Sequence, residues 1–69
     1  MAHHQILLNG ETREIPPETN LDTLLELFFL PKQRVAIELN NQVVSRQNWP
    51  VTIVQGDDKV EVVHFVGGG

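Results

Sequence analysis

One stretch of this chain carries helical periodicity. Leu21, Leu24, Leu25 and Phe28 fall at i, i+3, i+4 and i+7, so four apolar side chains share one helical face. A single amphipathic helix has no second helix to pack against, and its apolar face needs a sheet. That requirement organises everything else. Thr19 or Asn20 offers the N-cap, and Asp22 puts an acid in the first turn, where the helix dipole favours it. Pro31 is expected to stop the helix at Leu30.

Strands are legible on both sides. Gln5, Ile6, Leu7 and Leu8 read as a short strand, and Asn9-Gly10 is a strong hairpin signal because both residues tolerate positive φ. Residues 11–15 form the returning strand, ended by Pro16-Pro17. Val35, Ile37 and Leu39 alternate with Ala36 and Glu38, Asn40-Asn41 is a turn, and Gln42, Val43 and Val44 are its partner strand. Residues 45–50 read as irregular, residues 51–54 as a short apolar piece, and Gly56-Asp57-Asp58 as a turn. Residues 59–66 form the last strand, which runs directly into Gly67, Gly68 and Gly69. The order β-β-α-β-β-β predicts an α+β fold of the ubiquitin-like β-grasp type. Its mixed sheet has four to five strands with one main helix on one face, and the last strand lies centrally, parallel to the first. The expected division is a β-grasp domain over residues 1–66 and a flexible glycine tail over residues 67–69.

Composition narrows the function. A chain of 69 residues, 41% of them apolar, can fold, but at this size only about 60% of the surface is hidden, leaving little room for a buried cleft. Without cysteine there is no disulfide frame, thiolate metal site or cysteine nucleophile. The net charge is −4 with scattered bases, so no basic patch for nucleic acid is expected, and an acidic surface suits a basic protein partner. The longest apolar run, residues 27–30, is far short of a membrane span. Residues 1–5 lack the pattern of a secretory leader, so the expectation is cytoplasmic.

Glycine has no Cβ, so a glycine tail can thread a slot closed to other residues. That suits a carrier whose own terminal carboxylate is handled by other proteins; the plainer alternative is a loose end or a cloning scar. Val63 and Phe65 share one face of the last strand, and Val60, Val62, His64 and Val66 share the other. One helix covers one face, so the uncovered set is either ordinary exposed apolar surface or a docking patch. Val63, Phe65 and Val66 are the docking candidates, because they adjoin the tail.

The remaining chemistry-bearing residues read as structural. His64 is a plain strand residue, and His3 and His4 belong to a frayed terminus. Asp57-Asp58 is a turn, Trp49 is a partly buried anchor, and Arg46 pairs locally or faces solvent. Residues 27–30 hold more apolar side chains than one helix face needs. They either pack under the following loop or form a weak dimer or partner surface.

Several segments together resemble the small sulfur carriers of thiamine biosynthesis. They are Leu8-Asn9-Gly10, residues 40–49 with Arg46-x-x-Trp49, Gly56-Asp57, and the ending Val62-Val63-His64-Phe65-Val66-Gly67-Gly68-Gly69. The Arg-x-x-Trp segment and the His-Phe-Val-Gly-Gly-Gly ending are diagnostic. Glycines alone would also fit the small subunit of molybdopterin synthase or a ubiquitin-like modifier. The resemblance implies that Gly69 is the sulfur acceptor and that Gly67 and Gly68 thread the tail into partner pockets. It implies a ubiquitin-activating-type adenylyltransferase that spends ATP on the carboxylate, a persulfide sulfur donor, and thiazole synthase as the recipient. No permanently bound cofactor or metal is implied, and the chain would be a co-substrate, not an enzyme.

Overall fold

Asn9 and Gly10 adopt φ values of +51° and +82°, and Asn40 and Asn41 values of +52° and +72°. Two successive positive φ angles match the twist of a tight hairpin, so each pair closes one. The computed structural model describes residues 3–65. The first hairpin joins β1 (His4–Leu8) to β2 (Glu11–Ile15), and the second joins β3 (Val35–Leu39) to β4 (Gln42–Val44). The closing strand β5 (Lys59–His64) lies between the hairpins, giving the sheet order β2-β1-β5-β3-β4. It runs parallel to β1, with Leu7 opposite Lys59, and antiparallel to β3, with Ile37 opposite Val62. The sheet is therefore five-stranded and mixed, with the last strand central as expected.

The helix α1 (Leu21–Leu27) begins where Asn20 accepts the Thr23 amide through Oδ1 at 2.7 Å. It ends earlier than the proline implied. Phe29 turns left-handed at φ +57°, its amide reaches the Glu26 carbonyl, and the Leu30 amide reaches the Leu25 carbonyl at 2.8 Å. These two bonds make a Schellman cap, which satisfies the terminal carbonyls and stops the helix four residues before Pro31.

Leu21, Leu24 and Leu25 are fully buried, and Phe28 packs on the core from its edge. They meet Ile6 and Leu8 of β1, Ile15 of β2, Val35 and Ile37 of β3 and Val60 of β5. Residues 52–54 close the core's end: Val54 is buried and its amide bonds the Thr19 carbonyl, while the Thr52 carbonyl accepts the Leu21 amide.

Three further expectations are corrected. The segment expected to be irregular is a 3₁₀ helix over Arg46–Val51, with the Asn48 amide on the Ser45 carbonyl at 2.9 Å. His4 is not frayed; it opens β1 opposite Ile15. The last strand ends at His64, not Val66, although the Phe65 amide still bonds the Arg34 carbonyl at 2.7 Å.

Candidate functional site: the end of the central strand

In a 3₁₀ helix, residues three apart lie one above the other. That spacing places the Arg46 guanidinium over the Trp49 ring, 4.4 Å from its centroid. Arg46 also donates to the carbonyls of Lys32 and Val35, and the Trp49 Nε1 donates to the Val44 carbonyl at 3.1 Å. Trp49 is 2% exposed, deeper than the partial burial expected. The Arg-x-x-Trp segment is thus a clamp. It fastens the chain before β3 to the 3₁₀ helix and so holds β3, the antiparallel neighbour of β5.

The start and middle of β5 are fixed by side chains of the two hairpin turns. Asn40 Oδ1 accepts the Lys59 amide at 2.9 Å, and Asn40 Nδ2 donates to Asp58 Oδ1 at 3.0 Å. Asp58 Oδ2 accepts the Gln55 amide at 2.7 Å, so this carboxylate serves the turn. Asn9 Oδ1 accepts the Val62 amide at 2.8 Å. Among the described residues no group of three or more His, Asp or Glu side chains could hold a metal ion. No helix of the described residues is long and apolar enough to cross a membrane.

The structure separates the two faces of β5. Val60 is buried and Val62 packs on the core, so that set faces the helix. Val63 and Phe65 are 48% and 55% exposed, on the face with no helix over it. His64 stands exposed opposite Val35. Val66, Gly67, Gly68 and Gly69, which carry the expected acceptor, threading and third docking positions, lie outside the described residues. So does the expected boundary between body and tail.

The four-residue apolar run divides. Phe28 and Leu30 are half-buried on the core, whereas Leu27 is exposed and Phe29 is 94% exposed. A groove of about 340 Å³ runs beside them, with Leu8 and Arg13 on its other wall. Arg13 pairs with Glu11 at 2.6 Å inside that groove, so its charge is already met.

A five-stranded mixed sheet gripping one helix, with the last strand central and leading toward the C-terminus, defines a ubiquitin-like β-grasp protein. The family model described as "ThiS family" matches residues 6–69, and the chain belongs to that family. It is similar to the sulfur carrier protein ThiS of Bacillus subtilis, 30% identical over 90% of this chain and 96% of that one. A thiazole synthase of Magnetococcus marinus is 43% identical over 94% of this chain, which spans only 20% of that protein's length. In structure it matches a thiamine biosynthesis protein (ThiS) from Geobacter metallireducens with a TM-score of 0.80 and 29% identity. That match covers 94% of this chain and 99% of the other.

Proposed function

We propose that the protein carries sulfur as a thiocarboxylate on Gly69 and delivers it for thiazole formation in thiamine biosynthesis. The observation that carries this reading is the family match over residues 6–69, which takes in the three glycines that follow the central strand in sequence. The thiazole synthase relatives add support: a stretch like this chain occupies a fifth of their length, which suits a carrier and its recipient acting together.

The chemistry follows from the group. A carboxylate is a poor electrophile. A ubiquitin-activating-type enzyme transfers AMP from ATP to it, releasing pyrophosphate and leaving an acyl-adenylate. The terminal sulfur of a persulfide attacks the acyl carbon and AMP departs. A second thiol then attacks the donor's inner sulfur, forming a disulfide and releasing the thiocarboxylate. Thiazole synthase accepts that sulfur. The carrier supplies reach and recognition, the glycines enter the partner pockets, and the reacting side chains belong to the partners, so the protein is a co-substrate.

The test is incubation with the adenylating enzyme, ATP, a persulfide donor and a thiol, followed by intact mass. The protein should gain the mass of one oxygen-to-sulfur exchange. No gain overturns the reading, and an isopeptide to lysine in place of the exchange would make the protein a modifier.

A further inference from the structure

β2 is an edge strand of the sheet, and its open side has a defined pattern. The Leu7 amide donates to the Asp58 carbonyl at 2.9 Å, and the Gln5 carbonyl accepts the Asp57 amide at 2.7 Å. Residues 5 and 7 of β1 thus turn their backbone polar groups away from β2, and residues 4, 6 and 8 turn theirs toward it. Opposite those three lie Ile15, Arg13 and Glu11, which are the bonded partners, because bonded and non-bonded pairs alternate along an antiparallel ladder. Thr12 and Glu14 therefore aim their N–H and C=O groups outward. Among the described residues no strand or loop backbone meets them there. The side chains of Glu11 and Arg13 lie on the helix side, opposite the buried Leu8 and Ile6. Across the groove from them stand the exposed Leu27 and Phe29.

We propose that a second copy of this chain pairs with β2 in antiparallel register, about a twofold axis at Thr12, and joins the two sheets into one. Charge complementarity selects both the occupant and the register. With the axis at Thr12, the two Thr12 residues exchange their outward bonds, and Glu14 lies opposite Gly10, which has no side chain. Arg13 of each copy then stands opposite Glu11 of the other, so two opposite-charge pairs form across the contact. Moving the axis to Glu11 or to Arg13 sets like charges opposite each other, which destabilises a sheet. Moving it to Glu14 opposes two carboxylates and puts Thr12 against Pro16, which has no N–H to donate. Arg13 already holds its own Glu11 at 2.6 Å, and its guanidinium keeps donors for the facing carboxylate. Leu27 and Phe29 of both copies flank these charges and add apolar surface to the same contact. Such a contact is the same patch on both copies, so it closes at two and covers an edge that would otherwise template further pairing. It does not rest on the carrier reading, because β1 separates this edge from β5.

The test is sedimentation equilibrium of the full chain over a concentration series reaching about 1 mM, the scale of a weak association. The weight-average mass of the wild type should rise from 7.8 kDa toward twice that value. Glu11→Arg and Arg13→Glu, each alone, should weaken association about tenfold, since two attractive pairs become two repulsive ones. An equimolar mixture of these two variants should associate again, because every facing pair is then opposite in charge. Thr12→Pro should abolish association, since it removes the outward amide and leaves the bonds to β1 in place. Amide exchange on the wild type gives a readout that needs no variant. It should slow at Thr12 and Glu14 as concentration rises, and stay constant at Val43 on the opposite edge. A wild type that keeps the monomer mass throughout overturns the proposal. So does association that survives Thr12→Pro, a mixture that fails to associate while both variants are folded, or protection that appears at Val43 instead. Protection of Thr12 and Glu14 in a monomeric wild type only when the adenylating enzyme is added also overturns it, by making that enzyme the occupant. None of these outcomes involves conversion of Gly69, so failure here leaves the carrier reading standing.

Discussion

Asn9 and Val62 are 53 positions apart, and the Asn9 side-chain oxygen accepts the Val62 amide at 2.8 Å. The Asn9 amide itself donates to the Val60 carbonyl at 2.9 Å. β1 has ended at Leu8 by this point, so the asparagine side chain acts as one more acceptor in the parallel ladder with β5. The turn residue that closes the first hairpin therefore also guides the strand toward the C-terminus.

Asn9→Ala should lower stability by about 1–3 kcal/mol, since it leaves the Val62 amide without its acceptor and puts alanine at positive φ. Asn9→Gly keeps the turn and loses only the bond, so it should cost less. Denaturant titration ranks the variants, and hydrogen exchange at Val62 should quicken in both. Equal stability of Asn9→Ala and wild type would dismiss the ladder role.

Leu24 and Leu25 are fully buried between α1 and the sheet. Leu24→Ala and Leu25→Ala should each cost about 2–5 kcal/mol through lost burial and a residual cavity. In a domain of this size either loss can exceed the stability available. Calorimetry reads it directly; a change below about 1 kcal/mol at both positions would place them at the surface.

Phe29 holds a left-handed conformation normally given to glycine, with its ring in solvent. Phe29→Gly should raise stability by about 1 kcal/mol, because the Schellman cap is kept and the Cβ strain is removed. A fall in the midpoint of urea unfolding would show that the ring makes a stabilising contact.

Phe65 is more than half exposed and lies just past β5. Phe65→Ala should change stability by less than about 1 kcal/mol, as surface substitutions do. It should weaken binding to the adenylating enzyme. A variant that unfolds, or that is activated as fast as wild type, removes Phe65 from the docking surface.

At the tail, one residue added after Gly69 should abolish conversion without altering the unfolding temperature. The acceptor carboxylate must lie within attack distance of the ATP α-phosphate, and small displacements are costly in such geometry. Gly68→Val should fail likewise, because its stiff branched side chain resists a slot shaped for glycine. Intact mass checks both, and full conversion of the extended chain would exclude Gly69 as the acceptor.

The elements whose causes are local were legible in the sequence. Asn9-Gly10 and Asn40-Asn41 carry their own turn chemistry, Asn20 its own cap, and the leucine spacing its own face. The alternation of β5 also sorted its side chains into two sets before any contact was known. What tertiary structure decided is which set the helix covers, because that depends on where strands distant in the chain meet. It decided the helix end as well: Leu30 packs on the core and draws Phe29 into a conformation its residue type disfavours. The 3₁₀ helix was hidden for the same reason. Arg46 and Trp49 show no apolar period, and their order comes from carbonyls of Lys32, Val35 and Val44 that only folding brings within reach. Sequence sets the preferences of neighbouring residues, whereas the partners of a strand face are set by long-range pairing, which no local pattern encodes.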